Sequence, residues 1–569
     1  MKISIGFSAA TGVNTSGMLL GELLCAKGYT ILDKEYASII KGDNNDFFLY
    51  VSDDYPFITQ KIDHFFPFDD YSITKNEKLY ALKKIHKLKK TDVKYKNVYF
   101  FGASLKLLGI PCEEGETLLA KYFKDDVLAV NVECVRSYGY FSASKYNLSQ
   151  NVGPEKVFMF GNEIIGKAMA SMDFYAAYPM TPASSLIEVI TDKIAEDEKQ
   201  KISDDNLKTS PEKIVHLQKK SSVIFYQGED EIACSIAMLG AKFAGRRAMT
   251  TSGGFALMTE SISFSNQAEL GVYILSQRDG PSTGTPTYTG QSDLNYALNA
   301  SFGDTFPIVL APSTFEEYSL IKALNRSDIY QHPVIFLIDK QLSESYLSVD
   351  KTKLLSEPIL RGKLQTNGSE FKRYELTSDG ISPVTLPGTE NGEFITTSYE
   401  HDEYGATNED PIIKKQQQDK RFKKFETFIQ QEFTKDFYGY EIINPEAKEF
   451  FVTFGVNRYV IEEYIREKNK VSIDTKDILN KDDFSLRSKK LKYGLIIIKV
   501  LQPLDMRLKE FLDVNAKRIK KLIFVEMNTS QLQELITNKC LLNDKKRNNK
   551  VKYIRKYTLY PIFAEDIVI

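Results

Sequence analysis

Short apolar runs, each closed by a loop of small or turn-forming residues and followed by an amphipathic stretch, recur from one end of this chain to the other. Alternation of this kind encodes strands that feed helices returning to a neighbouring strand, which points to α/β architecture. The opening shows the pattern. Residues 3–7 read as strand and residues 8–13 as a small-residue loop; Met18, Leu19, Leu20, Leu23 and Leu24 then form the apolar face of a helix, and residues 29–32 give a second strand. The loop GFSAATG (6–12) lacks the G-x-G-x-x-G spacing of a phosphate cradle, and close helix–strand packing is the plainer reason for its glycines.

At roughly 150 residues per domain, 569 residues predict three or four domains, each burying its own core. The polar break YNLSQNVGPEK closes a first α/β domain, residues 1–150. A second α/β domain, 155–350, opens on the apolar run 157–160 and carries a charged insertion at 195–220 with almost no apolar face, which reads as a solvated excursion. Gly, Ser, Thr and charge dominate 351–440, including QQQDKRFKK, and predict a connecting arm with little core of its own. A third α/β domain, 441–569, again alternates strands (451–454, 493–498, 522–525) with helices.

Lys and Arg number 74 against 76 Asp and Glu, so no global field exists to hold nucleic acid, and the basic clusters LKKIHKLKK, AKRIKK and KKRNNKVK read as solvated faces. Five cysteines are scattered without a C-x-x-C pair, which argues against an iron–sulfur or zinc site within the chain. No apolar stretch of about 18 residues exists and the start lacks a signal-type apolar core, so a cytoplasmic protein without membrane contact is expected.

Residues 161–289 hold the richest chemistry. In AAYPMTPASS (176–185) two prolines stiffen a loop at a strand's C-terminal end, where open α/β sheets bind ligands, and leave the hydroxyls of Thr181, Ser184 and Ser185 nearby. Capping of the following helix by Ser184 or Ser185 is the structural alternative. Next, Glu229, Asp230 and Glu231 open a helix whose Ala233, Ala237, Ala241 and Ala244 form a stripe suited to close contact across a domain or subunit boundary. The helix dipole accounts for acids there; a functional reading requires one carboxyl to sit in an apolar crevice. TTSGG (250–254) then offers a turn whose amides face a ligand, or simply a tight loop. Finally a buried strand at 272–275 runs into QRDGPSTGTPT (277–287), where Arg278 is placed to grip a carboxylate in bidentate fashion or to pair with Asp279.

Taken in order, GNEIIGKAMA, FYAAYPMTPASS, EDEIACSIAMLGAKFAGRRAM, TSGGFALMTE, QRDGPSTGTPT, GQSDL, HPVIFLIDK, FKRYELTSDGISPVTLPGT, HDEYG and FVEMNTSQLQELI resemble the alpha subunit of the 2-oxoacid:ferredoxin oxidoreductases, in the form with a gamma domain at the N-terminus. EYASIIKGDNN is similar to the gamma domain's own signature. The resemblance implies three domains: a gamma-type α/β domain, a pyrimidine-type doubly wound domain binding thiamine diphosphate, and a transketolase C-terminal-like α/β domain. It implies oxidative decarboxylation of a 2-oxoacid with coenzyme A, with electrons passed through iron–sulfur centres to ferredoxin. Carried over by position, Glu231 hydrogen-bonds the cofactor's aminopyrimidine ring nitrogen and so promotes loss of the thiazolium C2 proton. Thr181, Ser184, Arg278 and Thr287 hold the 2-oxoacid, with Arg278 on its carboxylate. Coenzyme A is associated with the first domain. The chain lacks the Gly-Asp-Gly that positions Mg²⁺ on the diphosphate, so a separate beta subunit is expected to supply magnesium, diphosphate and iron–sulfur ligands in a hetero-oligomer. A non-catalytic assembly or regulatory paralogue is the alternative, motivated by the short loop at 249–255 and by Asp279 beside Arg278.

Overall fold

The computed structural model describes residues 1–9, 12–36, 45–87, 95–137, 146–153, 155–168, 172–180, 183–205, 223–252, 255–276, 289–301, 304–314, 320–350, 358–435, 437–469, 491–541, 550–558 and 560–569. Among these residues three large mixed sheets of six, seven and five strands are layered with helices. No helix among them is long and apolar enough to cross a membrane.

In the first sheet, Lys2–Ala9 lies parallel to His64–Pro67 and antiparallel to Asn45–Ser52. Asn45–Ser52 carries Phe47, Phe48, Leu49, Tyr50 and Val51, all buried, because both of its faces are covered. Gly17 of the helix Val13–Ala26 lets Phe47 in; a Cβ there would overlap the ring. Lys2–Ala9 and Thr30–Tyr36 are each antiparallel to Asn45–Ser52 and hence parallel to each other, as a strand-helix-strand opening requires, with that third strand inserted between them.

The sheet ends with Tyr346–Asp350 and Lys156–Phe160, strands from the two ends of the second block. The sequence pattern assigned both to that block. They instead cover an edge of the neighbouring sheet that would otherwise stay unpaired, burying Met159, Leu347 and Val349. The second sheet borrows likewise: its order is Val500–Gln502, Ile308–Leu310, Val334–Leu337, Tyr273–Ser276, Ala248–Ser252, Phe174–Ala177 and Ile224–Gln227, the first of these coming from the third block. Packing follows the exchange. A single apolar cluster runs from Phe48 and Phe65 through Tyr175, Met249 and Tyr273 to Phe451 and Ile523. A second cluster, from Met238 and Val272 to Phe450 and Leu532, is likewise shared between blocks, while a third keeps to the first block, from Ile3 and Phe7 to Val135 and Leu148. The first block thus has one core of its own and the rest of the core is shared.

The arm also departs from expectation. It ends in a 22-residue helix, Pro411–Glu432, capped by Asp410, whose carboxylate accepts from the Ile412 amide at 2.7 Å. This helix buries Lys420, Arg421 and Lys424. Lys420 meets Glu269 at 2.6 Å, Lys424 meets the same carboxylate, and Arg421 bridges Asp304 and Glu400, each at 2.8 Å. Part of the charge in this arm thus forms the inner face of a helix held by ion pairs. The charged insertion starts as the continuation of the helix Ala183–Asp205, and residues 206–220 of it lie outside the described residues.

Candidate active site

Four adjacent parallel strands bring the candidate segments to one edge. Tyr273–Ser276, Ala248–Ser252, Phe174–Ala177 and Ile224–Gln227 are neighbours in register, with Ser252 opposite Ser276, Thr251 opposite Ala177 and Ala177 opposite Gln227. Each strand's C-terminal end leads into one candidate stretch: 277–287, 253–255, 178–185 and 228–231 respectively. This is the end of a parallel sheet where ligands collect.

The last of these turns is made by Gly228, whose amide donates to the Ala177 carbonyl at 3.2 Å. A Cβ at Gly228 would stand 2.5 Å from Cys234 Sγ, so only glycine lets the edge strand turn this tightly into the helix Glu231–Phe243. Asp230 caps that helix: its carboxylate accepts from the Ala233 amide at 2.7 Å. Capping therefore does not occupy Glu231. Glu231 is 5% exposed, and among the described residues its carboxylate has no hydrogen-bond or ion-pair partner. One turn on, burial pushes the Cys234 thiol up to about 11, with the Glu231 and Asp230 charges adding to the effect, so Cys234 is no nucleophile.

The helix that carries Glu231 presents an apolar stripe to open space. Ile232 is 45% exposed and Ile236 59%, and they continue through Gly240 to Phe243 and Ala244. No atom lies within 4 Å of a Cβ built on Gly240. Ala233, Ala237 and Ala241 flank this stripe, half-buried. The edge strand beside it adds exposed Ile224 and Tyr226. A contiguous apolar face of this kind marks a surface built to be covered.

Ser184 sits in the first turn of the helix Ala183–Asp205, half-buried, its amide donating to the Met180 carbonyl at 3.1 Å. Ser184 and Ser185 thus follow the helix start rather than cap it, and the Ser185 hydroxyl accepts from Asn162 Nδ2 at 2.8 Å. Thr181, Arg278 and Thr287 lie outside the described residues, as do Asp279 and the glycines at 253 and 254. What the structure brings together is the strand ends that lead into them, with Ser184 and Glu231 on adjacent strands' exits.

GQSDL is one of the segments that carry the resemblance, with no role given to its glutamine. Gln291 proves to be a buried hub between the second and third blocks. Its Oε1 accepts from Asn457 Nδ2 and from the Met527 amide, both at 3.0 Å; its Nε2 donates to the Phe454 carbonyl at 3.2 Å; its carbonyl accepts from Asn528 Nδ2 at 2.9 Å. Beside it Asp339 accepts from the Val456 amide at 2.7 Å, and Asp293 accepts from Ser276 at the end of its strand at 2.9 Å. An uncharged polar residue between Gly and Ser gave no signal in sequence, because its partners lie more than 160 positions away.

The chain matches the family model described as pyruvate flavodoxin/ferredoxin oxidoreductase, thiamine-diphosphate-binding, over residues 165–419. It is 32% identical over 454 residues to the alpha subunit of 2-oxoacid:ferredoxin oxidoreductase 2 of Aeropyrum pernix, across 76% of this chain and 65% of that protein, just short of two thirds of its length. It is 31% identical over 555 residues to the alpha subunit of the 2-oxoacid:ferredoxin oxidoreductase of Saccharolobus solfataricus, across 82% of this chain and 85% of that protein. Among solved structures, a 2-oxoglutarate:ferredoxin oxidoreductase from Magnetococcus marinus, with 2-oxoglutarate, coenzyme A and succinyl-CoA bound, superposes with a TM-score of 0.80 at 23% identity, covering 100% of this chain and 98% of that one; the likeness is one of fold.

Proposed function

The chain belongs to the 2-oxoacid:ferredoxin oxidoreductase alpha-subunit family and carries that family's thiamine-diphosphate-binding domain, and from this premise we propose that it serves an enzyme converting a 2-oxoacid and coenzyme A to acyl-CoA and CO₂, with electrons passed to ferredoxin. The observation that carries the reading is the buried, unclaimed carboxylate of Glu231 at the exit of a parallel strand, beside a helix face that its own chain leaves bare. A structural acid at a helix start would be expected to cap it or pair, and Asp230 already caps. The named relatives favour this reading over a non-catalytic paralogue.

Thiamine diphosphate, when bound, supplies an electron sink for the carbon that loses CO₂. Glu231 would hydrogen-bond the aminopyrimidine ring nitrogen of the bound cofactor, its carboxylate being left unused by the cap that Asp230 supplies. Arg278 pairs with the substrate carboxylate, while Thr181, Ser184 and Thr287 orient it through their hydroxyls. A beta subunit covers the Ile232 and Ile236 stripe and brings magnesium, the diphosphate contacts and the iron–sulfur centre that hands electrons to ferredoxin. The first domain meets coenzyme A.

Co-expression of the chain with its beta subunit is the test. A complex holding thiamine diphosphate and intact clusters reduces a viologen dye only when both a 2-oxoacid and coenzyme A are present. Absence of turnover with every 2-oxoacid tried, in such a complex, overturns the proposal.

A further inference from the structure

The N-terminal ends of the same strands, opposite the candidate active site, face the arm across a cavity of about 50 Å³. Its floor includes Gly245 and Gly271, which precede the strands Ala248–Ser252 and Tyr273–Ser276; the arm supplies Arg361, Arg373 and Phe394 on the other side.

The charges around this cavity do not balance. Of the two carboxylates in its wall, Glu269 is held by Lys420 at 2.6 Å and by Lys424, and Asp328 is held by Lys242 and by Arg247 at 3.3 Å. Arg361 pairs with Asp173 at 2.9 Å. Arg373 remains: it is 3% exposed, lines the cavity, and makes no ion pair among the described residues. Its guanidinium donates to the Glu269 carbonyl at 2.6 Å and to Gln331 Oε1 at 3.2 Å, which leaves further donors of the fork free for another acceptor. The guanidinium lies over the rings of Tyr374 and Phe394, at 5.0 and 5.8 Å from their centroids, and shares the field of Glu269 with two lysines, so positive charge is in excess here; its planar fork matches a carboxylate in bidentate geometry. At roughly 10–15 Å³ for each water molecule held, the cavity admits about three or four non-hydrogen atoms.

We infer that this cavity binds a monovalent carboxylate of formate to acetate size, gripped by Arg373 with Arg361 and Lys242 at its rim. The wall carboxylates are already paired, Glu269 with Lys420 and Asp328 with Lys242 and Arg247, which reduces their repulsion of an incoming anion. The bound ion ties the arm to the sheet at the end away from the candidate chemistry, so the inference stands independently of the proposed activity.

Thermal unfolding of the full chain, titrated with sodium acetate in place of sodium chloride at constant ionic strength, tests it. The midpoint rises by a few degrees and saturates, and Arg373→Gln removes the rise. Saturation-transfer NMR on the acetate methyl gives a second readout on the unmodified chain, and Arg361→Gln, at a partly exposed position, weakens the acetate midpoint several-fold if Arg373→Gln does not fold. Equal midpoints in the two salts with no transfer to the methyl overturn the inference. So does an unsaturating rise shared by both variants, which is the general effect of an excluded salt.

Discussion

Asp230 and Glu231 are chemically near-identical neighbours with different surroundings. Asp230 accepts from the Ala233 amide, while Glu231 is buried without a partner among the described residues. Asp230→Ala is therefore expected to cost the chain about 1 kcal/mol through the lost cap, read as a lower thermal midpoint. Glu231→Gln, isosteric and uninvolved in the cap, is expected to leave that midpoint unmoved. A larger loss from Glu231→Gln than from Asp230→Ala would show that Glu231 is a structural acid. Sequence alone located the acidic trio but left these roles open, since the helix dipole favours every acid in the first turn equally. Only the register, fixed by the tight turn at Gly228 against Cys234, separates cap from site. Ser184 shows the same limit: a hydroxyl near a helix start reads as a cap until the start is known to be Ala183.

Two helices carry lessons about patterning. On the Glu231–Phe243 helix the small residues at spacings of three and four, expected to face a close contact, lie half-buried beside an open stripe of Ile232, Ile236 and Gly240 that their pattern did not single out. Ile236→Asp is expected to abolish co-purification with the proposed beta subunit while shifting the isolated chain's stability by no more than about 0.5 kcal/mol, because the side chain is 59% exposed here. Retained association would put the partner elsewhere. The Pro411–Glu432 helix was not legible, since its inward face is ionic and a hydrophobic pattern cannot report burial of that kind. Burial, together with the neighbouring Lys420 charge, pushes the Lys424 ammonium down to about 7 despite the facing Glu269. The unfolded chain keeps this proton to about 10, so unfolding takes up a proton between those values. The group's contribution to stability is accordingly present above the unfolded value and is lost as pH falls through about 7. Lys424→Met is expected to flatten the rise of the thermal midpoint with pH across that window; an unchanged slope would show that Lys424 stays charged throughout.

Across the whole molecule, sequence conveyed the class of architecture and the order of its blocks but not how the sheets are stitched. Strand pairings of Leu347 with Leu32 and of Val309 with Gln502 join segments far apart in the chain, and no local periodicity encodes which edge a strand completes. The same distance hides Gln291, whose bonds to Asn457, Met527 and Asn528 fix the third block beside the strand exit at Ser276. Thr181, Arg278 and Thr287 stand as assignments from motif, whereas Glu231 rests on motif and on observed burial together. The central claim is thus best tested at Glu231 within the assembled enzyme. In the proposed complex with a beta subunit, Glu231→Gln is predicted to lower 2-oxoacid-dependent viologen reduction by about 10²–10⁴-fold, the usual span for loss of a positioned acid or base, with subunit composition and any iron–sulfur content unchanged. Reduction at the native rate by that variant would contradict the account.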